Sequence, residues 1–202
     1  MRKAATAMDC AARIFPSPGG RNWSRRGCTP SRSCPPGSLY NHVMLFAVLT
    51  VSDRCSKGLA TDTAGPAIVA CLRRQWPEAE VESALVPDET DQIGASLRRW
   101  IGQSAALILT VGGTGFGPRD RTPEATRAVL EREAPGLAEA MRARGAAQNP
   151  MAWLSRAVAG LSGNTLIVNL PGSCRGAEES LIAILPLIGH GIDTAAGSET
   201  HP

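Results

Sequence analysis

The sequence predicts an α/β protein, a three-layer α/β/α sandwich in which helices cover both faces of a mainly parallel β-sheet. Short apolar runs alternate along the chain with segments of helical periodicity. Continuous apolar runs are typical of parallel strands that are buried on both faces. The chain has 202 residues, of which 43% are hydrophobic, so it can bury one substantial core.

Four apolar runs are predicted to form the strands. The first, Leu45–Val51, reads LFAVLTV and carries one polar residue, which indicates burial on both faces. The other three are Val81–Val86, Ala106–Val111 and Thr165–Leu170. We expect a further short strand at Trp153–Val158.

Helical patterns fill the segments between these strands. Residues 90–102 place apolar side chains at helical spacing, and Thr122-Pro123-Glu124 combines a hydroxyl cap, an N-terminal proline and an early acid. The predicted helices are 65–75, 90–102, 122–132, 135–144 and a last one from about residue 177. We expect Pro186 to kink or divide the last helix.

Basic residues concentrate at the N-terminus. Residues 1–43 contain seven Lys and Arg against one acid, which leaves a net charge of −3 for the rest of a chain whose total is +3. The segment is rich in Ser, Pro and Gly, so we expect a disordered basic extension. It is either a transit peptide or the result of a start codon assigned too early, and strand sequence directly after Met44 favours the second. The domain is then expected at 44–193, before a disordered tail at 194–202.

Composition argues against several function classes. No run of 18 apolar residues occurs, so a membrane-spanning helix is not expected. Residues 44–202 lack the clustered positive charge that nucleic-acid binding requires. The six cysteines show no CxxC spacing and no signal peptide precedes them, which predicts free thiols in a cytoplasmic protein.

The ligand site of such a sheet lies beyond the carboxyl ends of its strands. Those ends are Ser52-Asp53, Pro87-Asp88, Gly112–Gly115 and Asn169–Gly172. The glycine segment can aim successive N–H groups at an anion, because glycine tolerates positive φ. It lacks both the Walker A ending and the GxGxxG spacing, and an ordinary tight turn is the alternative.

Asp88 and Asp120 are candidate metal ligands, because each follows a predicted strand. Two carboxylates at one edge of a sheet can hold Mg²⁺ against the phosphates of a nucleotide. The alternative for each is a turn or capping residue. Ser155 and Arg156 either contact phosphate or are solvated.

Six sequence blocks occur in order between about residues 45 and 190. They are Val51–Arg54, Val86–Glu89, Gly112–Asp120, Thr122–Thr126, Leu154–Arg156 and Asn169–Gly172. Together these blocks resemble the molybdopterin adenylyltransferase family of molybdenum-cofactor biosynthesis. Residues 1–43 have no counterpart in the resemblance.

The resemblance implies that the terminal phosphate of molybdopterin attacks the α-phosphate of Mg-ATP and that pyrophosphate leaves. It implies essential acids at Asp88 and Asp120, with Mg²⁺ as the cofactor and ATP as the co-substrate. It places molybdopterin at Gly112, Gly113, Thr114, Gly115, Ser155 and Arg156. It places the nucleotide at Ser52, Asp53, Asn169, Pro171 and Gly172. It also implies a homotrimer or hexamer and a handover to the molybdate-inserting protein.

Two alternatives belong to other function classes. The first is a catalytically silent molybdopterin-binding or scaffold module, although such a module has no need of the acids at Asp88 and Asp120. The second is another enzyme of the same fold, either the molybdate-inserting protein or a nicotinamide-nucleotide-processing protein. Both of these carry further domains, and the length of this chain disfavours them.

Overall fold

A six-stranded β-sheet lies at the centre of the protein, whose computed structural model describes residues 44–197. The strands are β1 Leu45–Val51, β2 Glu80–Val86, β3 Leu107–Val111, β4 Arg132–Glu133, β5 Ala159–Ser162 and β6 Thr165–Leu170. Their order across the sheet is β2-β1-β3-β6-β5-β4. The predictions for residues 1–43 and 198–202 lie outside the described residues.

The first four strands of this order are parallel, whereas β5 and β4 add to the sheet in antiparallel pairs. Val48 of β1 lies opposite Leu109 of β3, which lies opposite Val168 of β6. This register brings the carboxyl ends of the parallel strands to one edge. The prediction of a mainly parallel sheet is confirmed.

Six α-helices and one 3₁₀ helix connect the strands of the described region. The α-helices are α1 Asp53–Ser56, α2 Ala64–Gln75, α3 Thr90–Gly102, α4 Thr122–Arg127, α5 Pro135–Ala146 and α6 Cys174–Ala195, and the 3₁₀ helix is Pro150–Leu154. Among the described residues, none of these helices combines the length and the apolar character needed to span a lipid bilayer.

Two hydrophobic cores lie on opposite faces of the sheet, because successive strand residues point to opposite sides. Phe46 and Val48 of β1 pack with α2, α5 and α6, whereas Ala47 and Leu49 pack with α3 and α4. Trp100 of α3 is fully buried in the second core. The three-layer arrangement is therefore confirmed.

The segment between α4 and β6 differs from the prediction. The strand predicted at Trp153–Val158 is wrong, since Pro150–Leu154 form the 3₁₀ helix and the strand lies at Ala159–Ser162. Asn149 Oδ1 accepts a hydrogen bond from Met151 N at 3.1 Å, which caps the helical turn. Asn149 followed by Pro150 is the local signal for this helix start, and the strand prediction did not use it.

The helix predicted over 122–132 ends at Arg127. The chain instead turns to pair with β5, where Glu131 N donates to Leu161 O and Ala134 N donates to Ala159 O, each at 2.8 Å. Pairing with a strand distant in sequence therefore overrides the local helical pattern.

Helix α6 begins earlier and ends later than predicted. Ser173 Oγ caps it by accepting from Gly176 N at 3.2 Å. The helix is not divided at Pro186, since Ile184 and Ile188 on either side are fully buried and anchor it to the sheet. It also includes Thr194 and Ala195, which the sequence pattern assigns to the polar tail.

We expect Leu109→Ala to lower the free energy of unfolding by about 3 kcal/mol, because the substitution leaves a cavity in the central strand. Leu109 is fully buried, whereas Leu187 is 49% exposed. Leu187→Ala, the matched control, should change the stability by less than about 1 kcal/mol. Urea denaturation of both variants measures the difference, and equal losses would contradict the described burial.

Candidate functional site

A cavity of about 280 Å³ opens at the carboxyl edge of the parallel strands. The chain leaves β1 toward β2 but leaves β3 toward β6 on the other side, so the loops after β1 and β3 diverge and leave a crevice. We call this the switch-point cavity. It is lined by Thr50–Ser52, Cys55, Thr61–Ala64, Asp88, Val111–Gly113, Asp120 and Gly172.

The turn after β3 places two glycines, which have no side chain, against the cavity. Gly112 and Gly113 have φ angles of 107° and 62°, which side chains rarely allow. A Cβ on Gly112 would lie 2.3 Å from Val51 O, and one on Gly113 would lie 2.3 Å from Thr122 Oγ1 and 2.9 Å from Asp88 Oδ1. Both positions therefore require glycine for conformation and for space.

Several peptide N–H groups of this turn have no acceptor among residues 44–197. Gly112 N donates to Leu170 O at 3.1 Å. Within the part of the chain that the structure describes, the N–H groups of Gly113, Thr114 and Gly115 donate to no oxygen. Consecutive unpaired N–H groups are the feature that makes a turn suitable for an anion.

Asp88 is held by a reciprocal pair of hydrogen bonds with the loop after β1. Asp53 N donates to Asp88 Oδ2 at 2.8 Å, and Asp88 N donates to Asp53 Oδ1 at 3.2 Å. Burial raises the pKa of the Asp88 carboxyl above its ordinary range, and the negative charges of Asp53 and Asp120 raise it further, although the hydrogen bond from Asp53 opposes them. Two further carboxyl groups, those of Asp62 and Asp120, line the same cavity.

The Asp53 carboxylate is already occupied by an arginine. Arg119 Nε donates to Asp53 Oδ2 at 2.9 Å, and Arg119 Nη2 donates to Asp53 Oδ1 at 3.0 Å and to Glu89 Oε1 at 2.7 Å. The hydrogen bond from Arg119 lowers the pKa of Asp53, while partial burial opposes it. Asp53 therefore lies at the edge of the cavity with its oxygens engaged.

Asp120 lines the switch-point cavity and also a neighbouring groove of about 400 Å³, which we call the outer groove. Its Oδ2 accepts from Gly117 N at 2.8 Å, and this bond folds the loop back on itself. The outer groove is lined by Phe116, Gly117, Pro118, Asp120, Arg121 and Arg156. Asp120 thus joins two concave surfaces.

Arg156 supports the glycine loop through three acceptors. Its Nε donates to Gly115 O at 2.7 Å, its Nη2 donates to Asp120 O at 2.6 Å, and its Nη1 pairs with Glu124. Ser155 lines neither concavity, and its Oγ accepts from Ala157 N at 3.3 Å. Contact of either side chain with molybdopterin stays a prediction.

Asn169 does not enter the cavity. Its side chain is fully buried, and its Nδ2 donates to Thr110 Oγ1 and to Thr126 Oγ1, each at 2.9 Å. Its Oδ1 accepts from Val158 N at 3.2 Å. The Asn169 side chain therefore ties β6 to β3 and α4 and is engaged within the protein, and approach of its backbone to a nucleotide stays a prediction.

Sequence reasoning missed Asp62, which lies in the segment between α1 and α2 and lines the switch-point cavity. Its Oδ2 accepts from Thr50 Oγ1 at 2.7 Å, and its Oδ1 accepts from Gly65 N at 3.0 Å. A Cβ on Gly65 would lie 2.2 Å from Thr50 Oγ1, so this packing requires glycine. The available signal was an Asp just before a helix start, which is common in capping.

The donor set fits a divalent cation of the magnesium type. Asp88 Oδ1 and Asp120 Oδ1 accept no hydrogen bond from the described residues, and Thr122 Oγ1 is buried without a partner there. Residues 44–197 contain no group of three or more His, Cys, Asp or Glu that could hold a metal. Mg²⁺ needs no such group, since it binds through one or two carboxylates, water and substrate phosphates.

About half of the predicted site residues converge on the cavity. The predicted residues that line the switch-point cavity are Ser52, Asp88, Gly112, Gly113, Asp120 and Gly172. The predicted residues that do not line it are Asp53, Thr114, Gly115, Ser155, Arg156, Asn169 and Pro171. The second set lies in segments next to the cavity, and ligand binding by the residues of either set stays a prediction.

A doubly wound sheet with a glycine turn and two acids at its switch point defines an α/β protein with a ligand-sized cavity at the carboxyl ends of its strands. The family model described as "Probable molybdopterin binding domain" matches residues 47–190, so the chain belongs to this family. The structure has the fold of the MogA and MoaB proteins of molybdopterin biosynthesis.

Individual relatives agree with this membership. The crystal structure of the molybdopterin biosynthesis enzyme MoaB from Thermus thermophilus is 50% identical, has a TM-score of 0.71, and is matched over 77% of this chain and 98% of that one. Molybdopterin adenylyltransferase of Helicobacter pylori is 39% identical over 76% of this chain and 88% of its own length.

Other curated relatives are longer than this chain. The molybdenum cofactor synthesis protein cinnamon of Drosophila melanogaster is 43% identical over 73% of this chain, but the match covers 25% of that protein. The chain spans less than two thirds of the first relatives that it matches.

We expect Gly113→Ala to lower the free energy of unfolding by about 2–5 kcal/mol, because it adds a steric clash to an unfavourable positive φ. Gly58 is the matched control, since its φ is 69° and nothing lies within 4 Å of its Cβ position. Gly58→Ala should cost about 1–2 kcal/mol. Thermal and urea denaturation measure both, and equal costs would show that space around Gly113 is not limiting.

We also expect a pH effect at Asp88. Because its pKa is raised in the folded state, the folded protein holds this proton more tightly than the unfolded chain does. The stability of the protein relative to Asp88→Asn should therefore fall as the pH rises from the ordinary value of 3.8 through the raised pKa. Urea denaturation in EDTA between about pH 3 and pH 7 measures this. If the free energy of unfolding of the unmodified protein instead rose relative to that of Asp88→Asn as the pH increased, the assigned burial would be contradicted.

Proposed function

We propose that this protein is a molybdopterin adenylyltransferase that transfers AMP from Mg-ATP to the terminal phosphate of molybdopterin. The observation that carries the proposal is that Asp88 and Asp120 line the same cavity as the Gly112–Gly113 turn. The name of the Helicobacter pylori relative, which is matched over 88% of its length, supports it further.

The reaction joins two polyanions. An oxygen of the molybdopterin phosphate forms a bond to the α-phosphorus of ATP, while the bond from that phosphorus to the bridging oxygen breaks and pyrophosphate leaves. The rate of such a transfer depends on positioning and on charge neutralisation rather than on covalent chemistry of the protein. The carboxylates of Asp88 and Asp120 repel the phosphates of ATP, so a cation between them should favour nucleotide binding and the transfer step.

Asp88 and Asp120 are the residues that would hold Mg²⁺, through carboxylate oxygens that face the cavity. A bound Mg²⁺ supplies charge neutralisation and alignment of phosphate oxygens. Of the N–H groups of this turn that are unpaired among the described residues, that of Gly113 belongs to a residue lining the cavity, so it is the donor we expect for a phosphate of molybdopterin or of ATP. Arg156 bonds Gly115 O in the same loop, so its role here is to position the loop.

The nucleotide is expected at the loops after β1 and β6. Ser52 and Gly172 line the cavity there, and Gly172 lies close enough to Gly112 that a Cβ would be 3.2 Å from Gly112 Cα. Bare backbone on both sides lets a flat ring approach closely. Cys55 and Asp62 complete this wall and are available for contact with the nucleotide.

We expect Asp120→Asn to reduce pyrophosphate release by about 100-fold or more, because one charge of the cation site is lost. Molybdopterin binding should be largely retained. A pyrophosphate-release assay with purified molybdopterin and MgATP, together with calorimetry of molybdopterin binding, measures both effects. Asp91→Asn, an exposed acid of α3, is the matched control and should be fully active.

Two outcomes would overturn these assignments. Normal turnover by Asp120→Asn would show that this carboxylate is not a ligand of the cation. Tight molybdopterin binding by the unmodified protein without any release of pyrophosphate would identify a binding module instead of an enzyme.

A further inference from the structure

We propose that Asp53, Arg119 and Glu89 form an ionic strap that sets the separation between the carboxylates of Asp88 and Asp120. In this view Asp53 and Arg119 are positioning residues and not ligands of a substrate phosphate. The inference rests on the proposed function, because it concerns the two acids assigned to the cation.

The first half of the strap joins the loops after β1 and β2. Asp53 N and Asp88 Oδ2 are 2.8 Å apart, and Asp88 N and Asp53 Oδ1 are 3.2 Å apart. Each aspartate therefore caps the backbone of the other. Any displacement of Asp53 moves the oxygen of Asp88 that accepts its N–H.

The second half joins these two loops to the loop after β3. Arg119 bonds both carboxylate oxygens of Asp53 with two nitrogens, and its Nη2 also bonds Glu89 at 2.7 Å. Arg119 directly precedes Asp120 in the sequence. The guanidinium therefore ties the loop of Asp120 to the loops of Asp53 and Glu89, which adjoin Asp88.

The strap has an electrostatic consequence. Asp88 and Asp120 carry like charges into one cavity, and without a cation their repulsion pushes the two loops apart. A planar guanidinium that is bonded through its fork to one carboxylate resists this separation better than a flexible ammonium does.

The bonding of Arg119 also limits what else it can do. Its Nε and Nη2 face two carboxylates, so its positive charge is compensated before a phosphate arrives. Asp53 Oδ1 accepts from both Arg119 and Asp88, and Asp53 Oδ2 accepts from Arg119. Neither side chain offers a free, uncompensated charge to a ligand.

The strap is exposed enough to respond to salt. The Arg119 side chain is 54% exposed, and those of Asp53 and Glu89 are 25% and 49% exposed. Ion pairs at such exposure are weak singly and are screened by salt, so the contribution of the strap should decline as the ionic strength rises.

The test uses the full chain and Mn²⁺ as the probe for the cation site, titrated by electron paramagnetic resonance. We expect Arg119→Ala to weaken Mn²⁺ binding about threefold to tenfold at low salt, the range that exposed ion pairs in a network supply. Arg119→Lys should recover part of the loss. Asp53→Asn, which keeps an acceptor for Asp88 N–H, should show a loss similar to that of Arg119→Ala.

Arg127→Ala is the matched control. Arg127 is 50% exposed and pairs with Glu133 at 3.5 Å, and it lines neither the switch-point cavity nor the outer groove. Its Mn²⁺ affinity should equal that of the unmodified protein. In turnover, Arg119→Ala should raise the Mg²⁺ concentration needed for half-maximal rate, while metal-free molybdopterin binding stays unchanged.

The strap would be overturned if Arg119→Ala and Asp53→Asn bound Mn²⁺ as tightly as the unmodified protein at low salt. It would also be overturned if the two losses were the same at high salt as at low salt. Mn²⁺ binding that responds to Arg119 without any pyrophosphate release by the unmodified protein would support the strap and refute the adenylyl transfer.

Discussion

The opposite crossovers on the two sides of β1 and β3 are the constraint on which the rest of the site depends. One connection leads from β1 to β2, and the other leads from β3 toward β6. A helix therefore cannot cover the end of the sheet between them, and the crevice forms without any specific side chain. The loops after β1, β2, β3 and β6 all border it, because their strands are parallel and in register.

The crevice collects negative charge, and the protein compensates for this charge with backbone and arginine donors. Asp62, Asp88 and Asp120 line one small cavity, with Asp53 at its edge. Each of these four carboxylates accepts at least one backbone N–H bond, from Gly65, Asp53, Gly117 and Asp88 respectively. Such bonds hold the carboxylates in place, and in Asp88 and Asp120 they leave Oδ1 without a hydrogen bond from the described residues.

Next to the cavity, hydrogen bonds between uncharged groups hold the strands and helix α4 together. Asn169 joins three segments that are distant in the sequence, through Thr110, Thr126 and Val158 N. A buried amide with all of its groups paired is costly to disturb, so this network keeps the floor of the cavity rigid. Arg156 supports the loop after β3 in a similar way, through Gly115 O and Asp120 O. The loops of the site are thus held in place by hydrogen bonds from Asn169 and Arg156.

Local sequence determined the strands Leu45–Val51 and Thr165–Leu170, the glycine turn, and the edge of the sheet where Asp88 and Asp120 would meet. These features follow from apolar runs and turn chemistry, which act between near neighbours along the chain. Tertiary structure decided that the strand lies at Ala159–Ser162, that the Asn169 side chain bonds Thr110 and Thr126, that Asp62 lines the cavity and that Arg119 bonds Asp53 and Glu89. Those outcomes depend on pairing and ion contacts between residues up to 66 positions apart, such as Arg119 and Asp53. The sequence near a residue does not predict which side chain from a distant part of the chain will bond to it.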